Sequence, residues 1–109
     1  MMRFDPSSVD WPASRREGIA VKVLWRDDPS GDVAVLVRMD PGCRYPRHRH
    51  VGDEDVLVLQ GGFCDAAGEH RAGSFHRFPA GSVHAPVALD GALPCVLFAV
   101  ARGGVELLE

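Results

Sequence analysis

No run of apolar residues in this sequence approaches the roughly 18 that a membrane-crossing helix needs. A membrane partner is therefore not expected. The amino terminus, MMRFDPSSVDW, lacks the apolar core of a secretory signal, so export is not expected either. The three cysteines, Cys43, Cys64 and Cys95, are odd in number and include no CxxC pair. That argues against a disulfide framework and fits a reducing compartment, so a cytoplasmic location is the expectation. A basic footprint is missing too. The net charge is -3, the pI is about 5.9, and the arginines are scattered. Nucleic acid is excluded as the expected partner. Internal repeats, low-complexity linkers and a convincing helical period are also absent.

What the chain does have is turn formers. Gly 12 and Pro 8 are high for 109 residues, which favours short strands joined by turns. One domain is the only count that fits this length. Residues 1–17 read as an extended arm, polar and turn-rich, with Trp11 as a packing anchor. Residues 18–109 read as the folded unit. GIAVKVLWR alternates, with Ile19, Val21, Val23 and Trp25 on one face and Lys22 and Leu24 on the other. Asp27 to Gly31 is a strong turn, and DVAVLVRMD completes a hairpin. Further strands are expected over Arg44 to His50, Asp55 to Gln60, Phe63 to Ala67, Glu69 to Ala72, Ser74 to Phe78, Val83 to Leu89, Pro94 to Ala101 and Val105 to Leu108. Strands at this spacing imply an all-β sandwich or small barrel of the jelly-roll kind. Two of them, DVAVLVRMD and DVLVLQ, are apolar on both faces. They need cover on both sides, which points to a homodimer.

The chemistry concentrates in GCRYPRHRHVGDEDVLVLQG, residues 42–61. His48 and His50 are two apart, so on a strand both imidazoles project to one side. Gly52 suits a turn or bulge, and Glu54 stands just beyond it. A second stretch, GSFHRFPAGSVHAPVA, brings His84 shortly after a Pro79-Ala80-Gly81 turn. Three imidazoles and one carboxylate suit a divalent transition metal, with iron or zinc first and manganese, nickel or cobalt next. The remaining histidines read differently. His70, in GEHR, is expected at the surface, and His76 in a non-ligand role. Arg47 and Arg49 alternate away from the ligands and are expected to pair with surface carboxylates. Cys43 and Cys64 read as packing residues. Tyr45, Phe63, Phe75, Phe78 and Phe98 are candidates for a pocket wall, with core packing as the default.

The spacings carry a resemblance. Gly42, His48, His50, Glu54 and Gly61 in the first stretch, and Gly73, Pro79, Gly81 and His84 in the second, resemble the two motifs of the cupin superfamily. The second departs once: Ala88 stands where that pattern often ends in Asn. The wider run EDVLVLQGGFCDAAGEHRAGSFHRFPAGSVHAP is similar to the cupin domain of ChrR-like anti-sigma factors. It is also similar to small dioxygenases that cleave acetylacetone and dihydroxyacetophenone. The resemblance implies a cupin jelly roll, an arm that reaches a neighbouring subunit, and a metal held by His48, His50, Glu54 and His84. It implies a small-molecule ligand or substrate. For activity it implies a metal-dependent dioxygenase acting on a small oxygenated compound, or alternatively a ChrR-like zinc-binding sensor without catalysis. Paired motifs of this kind specify fold and metal far better than reaction.

Overall fold

The structure, a computed structural model, describes residues 5–109. The Asp27 to Gly31 turn forms as its residues dictate. The Asp27 carboxylate accepts from Ser30 N–H at 3.1 Å, and Gly31 takes φ 77°, a left-handed value that glycine adopts freely. The turn joins β1 (Ile19–Asp27) to β2 (Asp32–Met39). There follow β3 (His48–His50), β4 (Glu54–Gln60), β5 (Gly62–Asp65), β6 (Gly68–Arg71) and β7 (Phe75–Phe78). The chain ends with β8 (Val83–His84), β9 (Val87–Ala88), β10 (Cys95–Ala101) and β11 (Val105–Leu107). Among the described residues the only helical element is a 3-10 turn at Pro6–Ser8, capped by Asp5. Among the described residues no helix is long and apolar enough to cross a membrane.

Every strand pairing is antiparallel. One sheet has five strands in the order β1-β2-β10-β4-β7; two smaller sheets are β11-β3-β8 and β6-β5-β9. The fold is the expected all-β cupin jelly roll. Its core forms where the five-stranded sheet meets β5 and β9, and Val37, Met39, Val56, Val58, Phe63, Ala88 and Leu97 pack there. Burial of each such side chain stabilises by about 1.5–3 kcal/mol for a residue of valine to phenylalanine size.

Two expectations about strands need correction. Leu24 is an extra residue in β1, because the register passes from Val23↔Val35 directly to Trp25↔Ala34. This bulge flips the parity, so Trp25 leaves the face of Ile19, Val21 and Val23 and stands outside, 54% exposed. The single strand expected over Val83 to Leu89 is two short ones, β8 and β9. Between them lies Pro86, which has no N–H to continue a ladder. Its carbonyl accepts instead from Tyr45 N–H at 2.8 Å.

The described part of the arm meets its own sheet at Asp10 and Trp11. Lys22 Nζ donates to Asp10 O at 3.2 Å, and the Arg38 guanidinium sits 5.9 Å from the centre of the half-buried Trp11 ring. On the outer face of that sheet the register aligns Leu36, Phe98, Leu57 and Phe75 in one row across four strands.

Candidate metal centre

Three local features aim the four candidate side chains. On β3 the alternation buries His48 and His50 and leaves Arg49 exposed between them. Arg49 pairs with Glu106 at 3.1 Å, while Arg47, also exposed, gives only its main-chain N–H to Glu109. Gly52 then lets the chain turn back. Its N–H donates to Arg102 O at 2.8 Å, and a Cβ there would sit 2.6 Å from that oxygen. No other residue fits the approach, and it delivers Glu54 to the start of β4. The Pro79 to Ser82 turn grips β3 from the other side. Gly81 N–H donates to His50 O at 2.7 Å, and His50 N–H to Ser82 O at 2.9 Å. Two residues on, His84 falls opposite His48 in register.

The result is a four-donor cluster. One ligand atom from each of His48, His50, Glu54 and His84 lies within 4.8 Å of all the others. His48 is 4% and His50 1% exposed. Each imidazole is held from behind by an acceptor. His48 Nδ1 donates to Pro46 O at 2.8 Å, His50 Nδ1 to Ser82 Oγ at 2.9 Å, and His84 Nδ1 to Asp65 Oδ2 at 3.0 Å. Ser82 Oγ is free to accept because its own proton goes to Pro79 O, 2.6 Å away. With every proton on Nδ1, all three Nε2 lone pairs face inward.

That arrangement leaves acceptors facing acceptors. His48 Nε2 and His84 Nε2 are 3.1 Å apart. His50 Nε2 is buried without a hydrogen-bond partner, and the nearby Glu54 Oε1, 3.3 Å away, has no proton to give when ionised. A buried polar atom left this way is costly. Histidine nitrogens with one carboxylate are the donor set that divalent transition metals select, so the residues fit such an ion. Burial pushes the pKa of His48 and His84 below the ordinary 6.5; the Pro46 carbonyl and Asp65 respectively offset part of this. Both rings therefore stay neutral, the form that binds metal.

A cavity of about 210 Å³ opens against His48, Glu54 and His84. Its far walls are apolar, built from residues such as Val33, Val35, Val37, Met39 and Leu97. Of the five aromatic residues weighed as wall, Tyr45, Phe63 and Phe78 line it. Phe75 is 62% exposed and Phe98 stands on the outer row. Burial, and then the Glu54 charge, push the Tyr45 phenol above its usual pKa. Cys43 and Cys64 do not line the cavity, in keeping with packing roles.

His70 is not at the surface. The hairpin register places it opposite Phe63, where it is 7% exposed. It donates Nε2–H to Asp65 Oδ1 at 3.0 Å, and its Nδ1 meets His76 Nε2 at 3.1 Å. His76 lies outside the four-donor group. Asp65, which reading the sequence passed over, thus bonds both His70 and His84. Burial works to raise its pKa, but hydrogen bonds from His84, His70 and Ala67 N–H outweigh that and hold it below the ordinary 3.8.

Comparison with known proteins agrees with the fold. No curated protein sequence matches the chain. Among solved structures, an RmlC-like cupin protein from Ralstonia eutropha JMP134 is 24% identical, with a TM-score of 0.82 over 96% of this chain and 70% of that one. An acetylacetone dioxygenase from Acinetobacter johnsonii is 13% identical, with a TM-score of 0.79 over 100% of this chain and 77% of that one. Likeness at those identities shows the fold alone. A chain from the complex of Rhodobacter sphaeroides SigE with the anti-sigma ChrR is 30% identical, with a TM-score of 0.78. The match covers 90% of this chain but only 52% of that one, so this chain spans about half its length. The profile of the ChrR cupin-like domain matches residues 1–103, and the chain belongs to that family.

Proposed function

We propose that this cupin holds one divalent transition metal through His48, His50, His84 and Glu54, and acts with it on a small oxygenated organic compound as a dioxygenase-type enzyme. The observation that carries the reading is the apolar cavity lying directly against three of the four donors, His48, Glu54 and His84. A purely structural zinc is closed on all four sides, whereas a catalytic ion keeps a position open to substrate. Iron in this site would supply Lewis acidity and one-electron chemistry toward dioxygen. The chain's own contribution is holding and shielding. Each Nδ1–H is anchored, so the imidazoles cannot rotate away from the centre. The valine wall excludes water from the side where a ligand would sit. Elemental analysis followed by oxygen uptake with β-diketones or hydroxyacetophenones tests the proposal. Iron at about one per chain with substrate-dependent uptake is the expected result.

A second reading, a regulatory cupin without catalysis, is favoured by the family match and by the 30% identity to a chain of the SigE–ChrR complex. Zinc in the purified protein, no oxygen uptake and capture of a sigma factor would decide for it. In either case Phe75 and the half-buried Leu57 and Phe98, in the row beyond the already buried Leu36, with the exposed Trp25 on the same face, are apolar surface that a second copy would cover. A homodimer is therefore part of the proposal, and sedimentation equilibrium measures it.

A further inference from the structure

Beside the four donors runs a second line of polar side chains that metal binding does not itself require. It starts at His84 Nδ1, passes to Asp65 Oδ2 at 3.0 Å, leaves Asp65 Oδ1 for His70 Nε2 at 3.0 Å, and ends at His76, whose Nε2 is 3.1 Å from His70 Nδ1. Asp65 and His70 are buried, with side chains 4% and 8% exposed, while His76 is half-buried. The strands explain the line. Phe63 and Asp65 share a face of β5, β6 brings His70 across from Phe63, and the Phe63 ring packs on His70 at 4.8 Å between centroids. The tip of this hairpin is tied by Ala67 N–H to Asp65 Oδ1 at 3.0 Å.

Donors and acceptors along the line match in one pattern when every imidazole is neutral. His76 Nε2–H donates to His70 Nδ1. His70 then carries its proton on Nε2 and donates to Asp65. The other Asp65 oxygen must accept, and only the Nδ1–H form of His84 can give to it. The pattern ends with a bare Nε2 on His84 pointing at the centre. His48 and His50 have neutral acceptors behind them, a carbonyl and a hydroxyl. His84 alone of the three is backed by a carboxylate, which also strengthens the ring as a donor.

We infer that Asp65, His70 and His76 are positioning residues: a hydrogen-bonded relay that fixes the tautomer of His84 and so raises the affinity of the centre for its metal. The inference rests on the metal reading above for its consequence, though not for the tautomer. Its effect should fade along the line. Asp65→Asn removes the charge and turns one of two acceptors into a donor, so metal affinity should fall by about 10- to 100-fold. His70→Phe keeps the ring packing but loses both hydrogen bonds, and should weaken affinity several-fold. His70→Gln restores an N–H near the Nε2 position and should recover most of that loss. His76→Ala should cost the least of the three, a measurable loss smaller than that of His70→Phe.

The experiment has two arms on the full chain. Histidine 15N–1H correlation spectra of the metal-free protein report the His84 tautomer, and chelator competition with cobalt or zinc gives the affinity. Wild type should show Nδ1–H on His84, and Asp65→Asn should show that form lost or mixed while the fold persists in its amide spectrum. If Asp65→Asn fails to fold, the His70→Phe and His70→Gln pair carries the test, because a merely structural role would leave tautomer and affinity alike in both. Unchanged tautomer and affinity across these variants overturns the inference. Wild type that binds no metal yet loses the Nδ1–H form in Asp65→Asn sinks the metal reading and leaves the relay standing.

Discussion

The molecule buries two groups of histidines side by side, and they satisfy hydrogen bonding in opposite ways. In the outer group donors and acceptors alternate, so His76, His70 and Asp65 complete one another. In the inner group, His48, His50 and His84 spend their protons outward, and three Nε2 atoms are left facing one another and Glu54. Composition does not separate the two groups, since each is imidazoles with a carboxylate. Direction separates them. Where the lone pairs converge without protons, only a cation completes the cluster; where they alternate, the cluster is complete already. The contrast makes one group the candidate metal site and the other its proposed support.

The sharpest way to break this contrast is to remove a donor from the inner group. His50→Ala should drop bound metal from about one per chain to near none, measured by elemental analysis after removal of loosely bound ions. Added zinc or cobalt should then separate the proteins by melting. At a free concentration one hundred times its dissociation constant, a ligand of the folded state stabilises by about 2.7 kcal/mol. Wild type should gain that and His50→Ala should gain nothing. An equal gain in both would mean that metal binds elsewhere, and the centre described here would not exist.

Acid should distinguish the groups next. His48 and His84 have folded-state pKa values below 6.5, lowered chiefly by burial. Below pH 6.5 the unfolded chain therefore takes up protons that the folded, metal-free chain refuses. Stability is full above 6.5 and declines as the pH falls towards the lowered values. Asp65 in the outer group works in another window. Its folded pKa lies below 3.8, so its contribution is full above 3.8 and is lost only as the pH falls further. His76, lowered by burial and then by His70, adds a share to the upper window. Melting curves of the metal-free protein should thus begin to fall just under pH 6.5. Replacing His48 and His84 by Gln should flatten most of that descent and leave the His76 share.

The same contrast explains what could be seen in the sequence. The inner group was legible because its spacing follows strand parity and turn residues. His48 and His50 sit two apart, Gly52 permits the reversal, and the Pro79–Gly81 turn sets His84. The outer group depends on which residues a hairpin pairs, and that is fixed by one residue of register. GEHR looks like an exposed turn until Asp65↔Gly68 closes the hairpin and puts His70 inside. A signal was present, since Phe63 and Asp65 share a face and a polar residue beside a buried aromatic calls for a partner. The Leu24 bulge failed for the same reason. Nothing in GIAVKVLWR marks the extra residue, yet it moves Trp25 to the other side of the sheet.

The smallest effect lies within the inner group itself, where the three supports are unequal. His48 leans on the Pro46 carbonyl, which no side-chain substitution removes. His50 leans on Ser82 Oγ, a neutral acceptor whose proton is already given to Pro79. Ser82→Ala deletes that acceptor and leaves the main-chain bonds between the turn and β3 in place. His50 then has no reason to keep its proton on Nδ1, and some molecules will carry it on Nε2, where it blocks the centre. Support of this kind changes metal affinity by about 10- to 100-fold, and a neutral hydroxyl belongs at the lower end. Chelator competition should therefore rank Ser82→Ala near a tenfold loss, weaker than Asp65→Asn. Thr at position 82 keeps the hydroxyl and should restore the affinity. A loss in Ser82→Ala as large as in Asp65→Asn would mean that the charge on Asp65 contributes nothing beyond the hydrogen bond it accepts.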